Sequence, residues 1–215
     1  MMDITSLLPP DYLIVLVGIA VFSITGVLAG ARKGMDLFGI VILGMVTAFG
    51  GGTVRDIIID APVFWLNNYL YIIVALVAGV MAFFFESYFW KTYKPLLHLD
   101  AMGIALFNVQ AIDKTLALGY NATVAVLMGL LTGISGGMMR DVLTGRPNLL
   151  LKQELYATPI LMGGILYIGL LTFVPKGGVF SAWIAIVFVF LFRVVAIRWN
   201  LTYPKWLLFA GKESE

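Results

Sequence analysis

GGGTVRD at positions 50–56 and GGMMRD at positions 136–141 share one pattern, Gly-Gly-x-x-Arg-Asp. Each copy lies in an apolar stretch, where an arginine costs several kcal/mol unless it is paired or hydrated. Adjacent glycines cost about 1 kcal/mol each in a helix interior. They also free backbone groups that lipid cannot satisfy. The pattern therefore predicts two helices that break at these glycines and place polar groups inside an apolar chain.

The composition is that of a membrane protein. Hydrophobic residues make up 61% of the 215 positions, charged residues 12%, and the mean hydropathy is +0.99. Soluble domains carry about 25% charged residues. Several apolar runs approach the ~20 residues that a bilayer-spanning helix needs. We predict an all-α fold that forms a single transmembrane domain over residues 1–215.

Other classes of function lack the residues they need. The chain has no cysteine, which excludes disulfides and thiolate chemistry. A net charge of +2 gives no reason to expect nucleic-acid binding. His98 is the single histidine and precedes a span, so we expect no metal site, and no Ser/His or HExxH arrangement indicates an enzyme. We expect no cofactor.

Seven spans are predicted, and their basic residues indicate an orientation. Three of the 14 lysines and arginines, Arg55, Lys114 and Lys176, fall on one side, and the other eleven fall on the opposite side. Basic residues stay cytoplasmic, so we predict an amino terminus outside and a carboxyl terminus inside a cell membrane, with a bacterial inner membrane expected. The predicted spans are Leu13–Gly30, Met35–Gly50, Leu70–Tyr88, Leu99–Leu116, Ala122–Ser135, Leu155–Val174 and Val179–Ile197.

An internal repeat runs at a constant offset of 85 residues. Each unit holds three spans, so the second unit is inverted relative to the first. We predict a 3+3 inverted repeat, with units at about 12–90 and 97–175, plus a seventh helix at about 179–198. Such folds tend to place the working site near the midplane, on broken helices. The pairs that carry the repeat include Gly18/Gly103, Phe22/Phe107, Gly34/Gly119, Gly44/Gly129, Thr47/Thr132, Gly51/Gly136, Gly52/Gly137, Arg55/Arg140, Asp56/Asp141, Pro62/Pro147, Tyr71/Tyr156 and Gly79/Gly164.

The two Arg-Asp pairs have two readings. Because neighbours on a helix point about 100° apart, we predict crosswise pairs, Arg55 with Asp141 and Arg140 with Asp56, or a bond from each arginine to freed carbonyls of the other break. These pairs would either fasten the repeats together or line a polar pathway. Thr47 and Thr132 stand one turn before each break, where their hydroxyls would face a pore or bond to their own helix.

Four other charged residues lie at or near span ends. Interfacial anchoring is the favoured interpretation for all four, Glu86, Asp100, Asp113 and Lys114, and a role in the pathway or its gating is the alternative. Asp113 and Lys114 are candidate gating residues, because the apolar run continues beyond them.

These motifs resemble the prokaryotic relatives of TRIC channels, the trimeric intracellular cation channels, whose bacterial branch is also known as the glycine-transporter-domain family. The resemblance covers about residues 12–198 and rests on positions 22–26, 50–56, 99–107 and 136–141. It implies a homotrimer in membrane lipid with one pore per protomer, lined by kinked second and fifth helices and passing K⁺ and Na⁺. Carried over by motif, the implied pore residues are Gly50, Gly51, Gly52, Thr53, Arg55, Asp56, Gly136, Gly137, Arg140 and Asp141.

Two functions compete for the same residues. In a passive cation channel, freed carbonyls supply partial negative charge, while the arginines need neutralising by Asp56 and Asp141. In a transporter of a small zwitterion such as glycine, Arg55 or Arg140 would meet the carboxylate, and the inverted repeat suits alternating access.

Overall fold

The computed structural model describes residues 10–89, 94–152, 154–174 and 177–204, with the side chains of 10, 11 and 86–89 left aside. Over these residues the chain forms seven α-helices and one turn of 3₁₀ helix, Leu149–Leu151. The predicted all-α fold with seven membrane helices is confirmed. The helices are α1 Pro10–Ala31, α2 Leu37–Ile58, α3 Tyr69–Phe89, α4 Lys94–Ala117, α5 Ala122–Leu143, α6 Ala157–Phe173 and α7 Gly178–Trp199.

Most of these helices are long and apolar enough to cross a bilayer. Five meet that standard by length and composition, namely α1, α2, α4, α5 and α7. The other two are apolar but shorter where they are described, at Tyr69–Phe85 and Ala157–Phe173. The predicted repeat limits at residues 90 and 175 lie outside the described residues.

Helices α2 and α5 do not break at their glycines, and the prediction that they do is wrong. Both are α-helical for 22 residues and run eight residues past the predicted ends at Gly50 and Ser135. A glycine keeps its N–H and C=O, so the hydrogen-bond ladder can continue through it. What the missing side chains provide instead is room for a second helix.

The two helices cross at these glycines, backbone against backbone. A Cβ on Gly136 would fall 2.5 Å from the Thr47 carbonyl oxygen, and a Cβ on Gly51 would meet the Thr132 carbonyl oxygen even more closely. Because Thr47 meets Gly136 while Gly51 meets Thr132, the helices run antiparallel. This geometry is that of an inverted repeat, with the crossing midway between the two units.

Equivalent contacts recur 85 residues apart on both sides of that crossing. The rings of Phe22 and Phe107, themselves an equivalent pair, stack across it with centroids 5.3 Å apart. The same offset relates the N-caps of α2 and α5, two left-handed glycines, and two side-chain bonds that join α1 to α3 and α4 to α6. The N-caps are Asp36 and Asn121, and the glycines are Gly34 and Gly119. The two bonds run from the Ser23 hydroxyl to the Ala75 carbonyl and from the Asn108 amide to the Ile160 carbonyl.

Helix α4 lies at the centre of the bundle. It packs against α1, α5, α6 and α7, and its residues between Asp100 and Ile112 are almost all buried. A helix that is covered nearly all round can carry polar side chains only where neighbouring helices satisfy them. Polar groups of α4 therefore mark the places where neighbouring helices of either repeat bond to it.

Candidate functional site

The predicted site residues lie in three places: the crossing of α2 and α5, and one charged cluster on each side of it. The glycines and Thr47 and Thr132 lie at the crossing of α2 and α5. Arg55 follows Gly51 by four residues and Arg140 follows Gly136 by four, about 6 Å further along each helix. Since the helices are antiparallel, the two arginines lie on opposite sides of the crossing, towards opposite ends of the bundle.

The first cluster, called the Arg55 cluster below, comprises Arg55, Asp56, Gln110 and Lys114. Asp56 Oδ1 accepts from Arg55 Nε at 2.8 Å and from Lys114 Nζ at 2.7 Å, and Arg55 Nη1 donates to Gln110 Oε1. The other Asp56 oxygen accepts the backbone N–H of Phe64 at 2.9 Å. One carboxylate therefore holds two cations and ties α2 to α4 and to the loop after α2.

A cavity of about 390 Å³ opens beside this cluster. It is lined by side chains of α1, α3 and α4, among them Tyr12, Tyr71, Gln110, Asp113 and Lys114. Asp113 accepts from Tyr167 at 2.6 Å, and the Lys114 side chain is 24% exposed. Asp113 and Lys114 thus line this cavity, called the vestibule below, at the Arg55 end of the bundle.

The second cluster, called the Arg140 cluster below, comprises Arg140, Asp100, Asp141 and Tyr156. Arg140 donates from Nη1 to Asp100 at 2.7 Å and from Nε to Asp141 at 3.0 Å. The Tyr156 hydroxyl donates to the other Asp100 oxygen at 3.3 Å. All four side chains are buried. Arg140 therefore joins α5 to α4, with Tyr156 closing the cluster from the segment before α6.

The predicted crosswise pairs are not formed. Each arginine bonds to the aspartate next to it in sequence, because the long guanidinium side chain folds back along its own helix end. Asp56 and Asp141 lie on opposite sides of the crossing, out of reach of the other repeat's arginine. The clusters still join elements, but they do so through α4.

The threonines and glycines at the crossing are buried. Thr47 bonds back to the Leu43 carbonyl at 2.7 Å, while the Thr132 hydroxyl has no partner among the described residues. Thr53 bonds back to Phe49 and accepts from Trp65 Nε1 at 3.0 Å.

The remaining glycines of the motif receive neighbouring side chains, which differ between the repeats. A Cβ on Gly50 would meet the Met139 sulfur, one on Gly52 the Phe64 ring, and one on Gly137 Asp100 at 3.0 Å.

Three residues of these clusters, Asp100, Gln110 and Tyr156, were not among the predicted site residues. Neither was Arg193, which lies beside Tyr156. The assignment of Asp100 to an interfacial anchor is wrong, since it is 0% exposed. Arg193 was counted among the basic residues of the cytoplasmic side although it falls within the predicted span Val179–Ile197, and α7 buries it. The available signal was an arginine within an apolar helix, which by itself marks a candidate functional residue.

Fold and site together define a multi-pass membrane protein with an inverted repeat and a buried charge cluster on each side of the crossing. The model of the family described as "Glycine transporter" matches residues 12–87 and again residues 97–172. The chain belongs to this family, which is also that of the TRIC channels and the UPF0126 membrane proteins.

Curated relatives and solved structures agree with this family. The UPF0126 inner membrane protein YadS of Escherichia coli is 38% identical over 201 residues, covering 92% of this chain and 96% of that protein. A UPF0126 membrane protein of Vibrio cholerae is 39% identical, covering 95% and 84%. A TRIC trimeric intracellular cation channel orthologue from Rhodobacter sphaeroides superposes with a TM-score of 0.84 at 35% identity, covering 89% and 98%. A prokaryotic TRIC channel solved in KCl gives 0.81 at 28%, covering 90% and 98%.

Proposed function

We propose that this chain forms a monovalent cation channel for K⁺ and Na⁺, with the pathway inside the protomer along the crossing of α2 and α5. The observation that carries the proposal is the placement of Arg55 and Arg140, one on each side of a backbone-to-backbone crossing and each neutralised by carboxylates. The solved neighbours are TRIC cation channels, which supports the same function.

Charge at the two clusters is compatible with cations. Asp56 and Asp113 balance Arg55 and Lys114 at one end, and Asp100 and Asp141 balance Arg140 and the nearby Arg193 at the other. Unpaired arginines at these depths would repel cations. Here the carboxylates at each end offset the positive charge of the arginines.

The conformation described here is closed at the crossing, because Gly51 and Gly136 lie against the Thr132 and Thr47 carbonyls. Opening requires α2 and α5 to separate there. Separation would turn the Thr47 and Thr132 hydroxyls and nearby carbonyls towards the pathway, where oxygen dipoles can replace part of an ion's hydration shell. The glycines of the motif let the two backbones meet directly at this crossing.

We assign gating to Lys114 and Asp113. Lys114 bridges α4 to Asp56 of α2 and borders the vestibule, so its movement changes both the charge at the mouth and the hold of α4 on α2. Asp113 lines the same vestibule and is held by Tyr167 of α6. The pair therefore couples the vestibule to both repeats.

We also propose that three copies assemble, each with its own pathway; the description of the Rhodobacter neighbour calls that protein trimeric. Native mass measurement of the purified protein in detergent should give three chains per particle. A monodisperse particle of one chain that still conducts ions would contradict the trimer and leave the pathway within the protomer intact.

A small-zwitterion transporter remains the second candidate, and one observation favours it. The vestibule presents a carboxylate, Asp113, beside an ammonium, Lys114. Those are the two charges that would complement a zwitterion such as glycine, and the family description is "Glycine transporter".

Flux into proteoliposomes separates the two functions. Purified protein should pass K⁺ down its gradient without saturation, and labelled glycine should not accumulate or exchange. Saturable glycine exchange without ion conductance would overturn the channel and establish the transporter.

A further inference from the structure

Arg193 lies six residues before the end of α7, the helix outside the repeat, and is buried there. It is 1% exposed and is among the largest fully buried side chains of the described residues. No carboxylate among those residues forms an ion pair with it. A buried guanidinium without a counter-ion is costly, so whatever holds it there is specific.

Two contacts account for its position. Arg193 Nη1 donates to the Leu155 carbonyl at 2.8 Å, and its guanidinium carbon lies 4.5 Å from the centre of the Tyr156 ring. A guanidinium over an aromatic face at this distance is a cation–π contact, which strengthens when it is desolvated. Both contacts fix residues 155 and 156, the segment that leads into α6.

Tyr156 connects Arg193 to the Arg140 cluster. Its ring lies under Arg193, and its hydroxyl donates to Asp100. Asp100 in turn receives Arg140. Gly137 leaves the space, since a Cβ there would come within 3.3 Å of the Tyr156 oxygen. An unbroken chain of contacts therefore runs from α7 to α5.

The end of α7 also holds the same segment through the backbone. The Leu155 N–H donates to the Leu201 carbonyl at 2.9 Å, and Glu154 and Thr202 form an isolated antiparallel bridge. The Thr158 and Tyr203 hydroxyls lie 2.7 Å apart. Arg193 therefore acts on a segment that α7 and the residues after it already hold in place.

The first repeat provides an internal comparison. The tyrosine equivalent to Tyr156 is Tyr71, which is half-buried, borders the vestibule and packs against Tyr12 with ring centroids 5.5 Å apart. The position equivalent to Asp100 is Val15, and the position equivalent to Arg193 is Asn108 of α4, so the first repeat has neither residue. The positioning device is therefore confined to one end of the pathway.

We propose that Arg193 is a positioning residue: through Tyr156 it holds Asp100 on Arg140, so that α7 sets the charge that cations meet at the Arg140 end. This inference rests on the proposed channel function. Releasing Tyr156 would free the Asp100 carboxylate from one of its donors. Cations entering from that end would then be favoured, and conduction would become asymmetric.

Single-channel recording of the purified full chain in planar bilayers tests the proposal. The readout is the ratio of currents carried in the two directions at equal and opposite potentials. Arg193→Gln and Tyr156→Phe should change this ratio in the same direction, by about twofold to tenfold, because charges lining a cleft alter local ion concentration by roughly tenfold or more. Arg198→Gln, an exposed arginine of the same helix, is the matched control and should leave the ratio unchanged.

Arg193→Lys separates positioning from charge. Lysine keeps the positive charge but lacks the planar guanidinium that stacks on an aromatic face. Positioning predicts that the lysine variant resembles Arg193→Gln. A wild-type ratio in Arg193→Lys would show a simple charge effect and overturn the proposal. So would a wild-type ratio in folded Arg193→Gln and Tyr156→Phe proteins.

A stability measurement decides the proposal even if the wild-type protein does not conduct, an outcome that would overturn the channel function alone. The shifts in Tm caused by Arg193→Gln and Asp100→Asn should be less than additive, because the two residues act through one tyrosine. In the Tyr156→Phe background the shifts should become additive. Additive shifts in both backgrounds would refute the coupling.

Discussion

At the scale of single residues, the protein solves one problem twice: it keeps an arginine inside an apolar bundle. The sequence was sufficient to predict that Arg55 and Arg140 need partners, because an unpaired arginine at membrane depth is costly. It could not identify Asp100, which is 40 residues from Arg140, or Gln110, which is 55 from Arg55. Those partners follow only from the central position of α4. The adjacent Arg-Asp bonds were missed because helix geometry alone neglects the reach of a guanidinium.

The Arg140–Asp100 pair gives a stability prediction. Asp100→Asn should lower the free energy of unfolding by about 1–3 kcal/mol, because Arg140 loses one of its two charged acceptors and keeps only Asp141. The loss in the double variant Asp100→Asn/Arg140→Gln should be smaller than the sum of the two single losses, because both changes remove the same bond. Thermal unfolding in detergent measures both. A double variant that has lost as much as the two single variants together would show that the residues act independently.

The glycines at the crossing give a second prediction. Gly51→Ala and Gly136→Ala should each destabilise the protein by about 1–3 kcal/mol, because the added methyl group overpacks a backbone contact. Gly169→Ala is the matched control, since nothing lies within 4 Å of a Cβ built there. Alanine in an open helix position should stabilise by about 0.5–1 kcal/mol. Equal effects at all three positions would argue against a close crossing.

At the scale of elements, the spans and the repeat were predictable from the sequence. The continuity of α2 and α5 through their glycines was not. Apolar runs and the 85-residue offset depend on composition and spacing, which sequence shows directly. Whether glycines break a helix or admit a neighbour depends on what packs against them. Here Thr132 and Thr47 carbonyls occupy that space, so the helices stay continuous and the glycines serve the crossing.

The N-caps of α2 and α5 give a prediction at this scale. Asp36 accepts from the Gly39 N–H and Asn121 from the Val124 N–H. Asp36→Ala and Asn121→Ala should each cost about 1 kcal/mol, because a backbone donor at the helix start loses its acceptor. Asp36→Asn and Asn121→Asp keep an acceptor and should restore most of the stability in thermal unfolding. Alanine variants as stable as the wild type would show that water satisfies these donors equally well.

At the scale of the whole molecule, the two ends of the proposed pathway differ although the fold is built from a repeat. One end has a vestibule bordered by Asp113 and Lys114, and the other has a buried cluster held by α7. The sequence indicated the symmetry through its shared glycines and Arg-Asp pairs. The asymmetry could not be predicted from the sequence, because the contacts of Asp100, Tyr156 and Arg193 join residues that are far apart in the chain.

This asymmetry predicts the effect of vestibule charge on conduction. Lys114→Met should increase K⁺ current, because it removes a cation from the mouth and leaves Asp56 with Arg55 alone. Asp113→Asn should decrease it by removing a carboxylate from the same vestibule. Planar-bilayer conductance at low ionic strength checks both, since screening weakens such effects. Changes of the same sign in the two variants would contradict an electrostatic origin.

The central claim is that cations pass along the crossing of α2 and α5. The chain has no cysteine, so Thr47→Cys and Thr132→Cys can be tested singly with a charged, water-soluble thiol reagent while current is recorded. Ile165→Cys, on an exposed face of α6, serves as the control. The account predicts irreversible loss of current in both threonine positions and none in the control. Channels that conduct normally while both cysteines stay unreactive, or that conduct unchanged once both are modified, would contradict it.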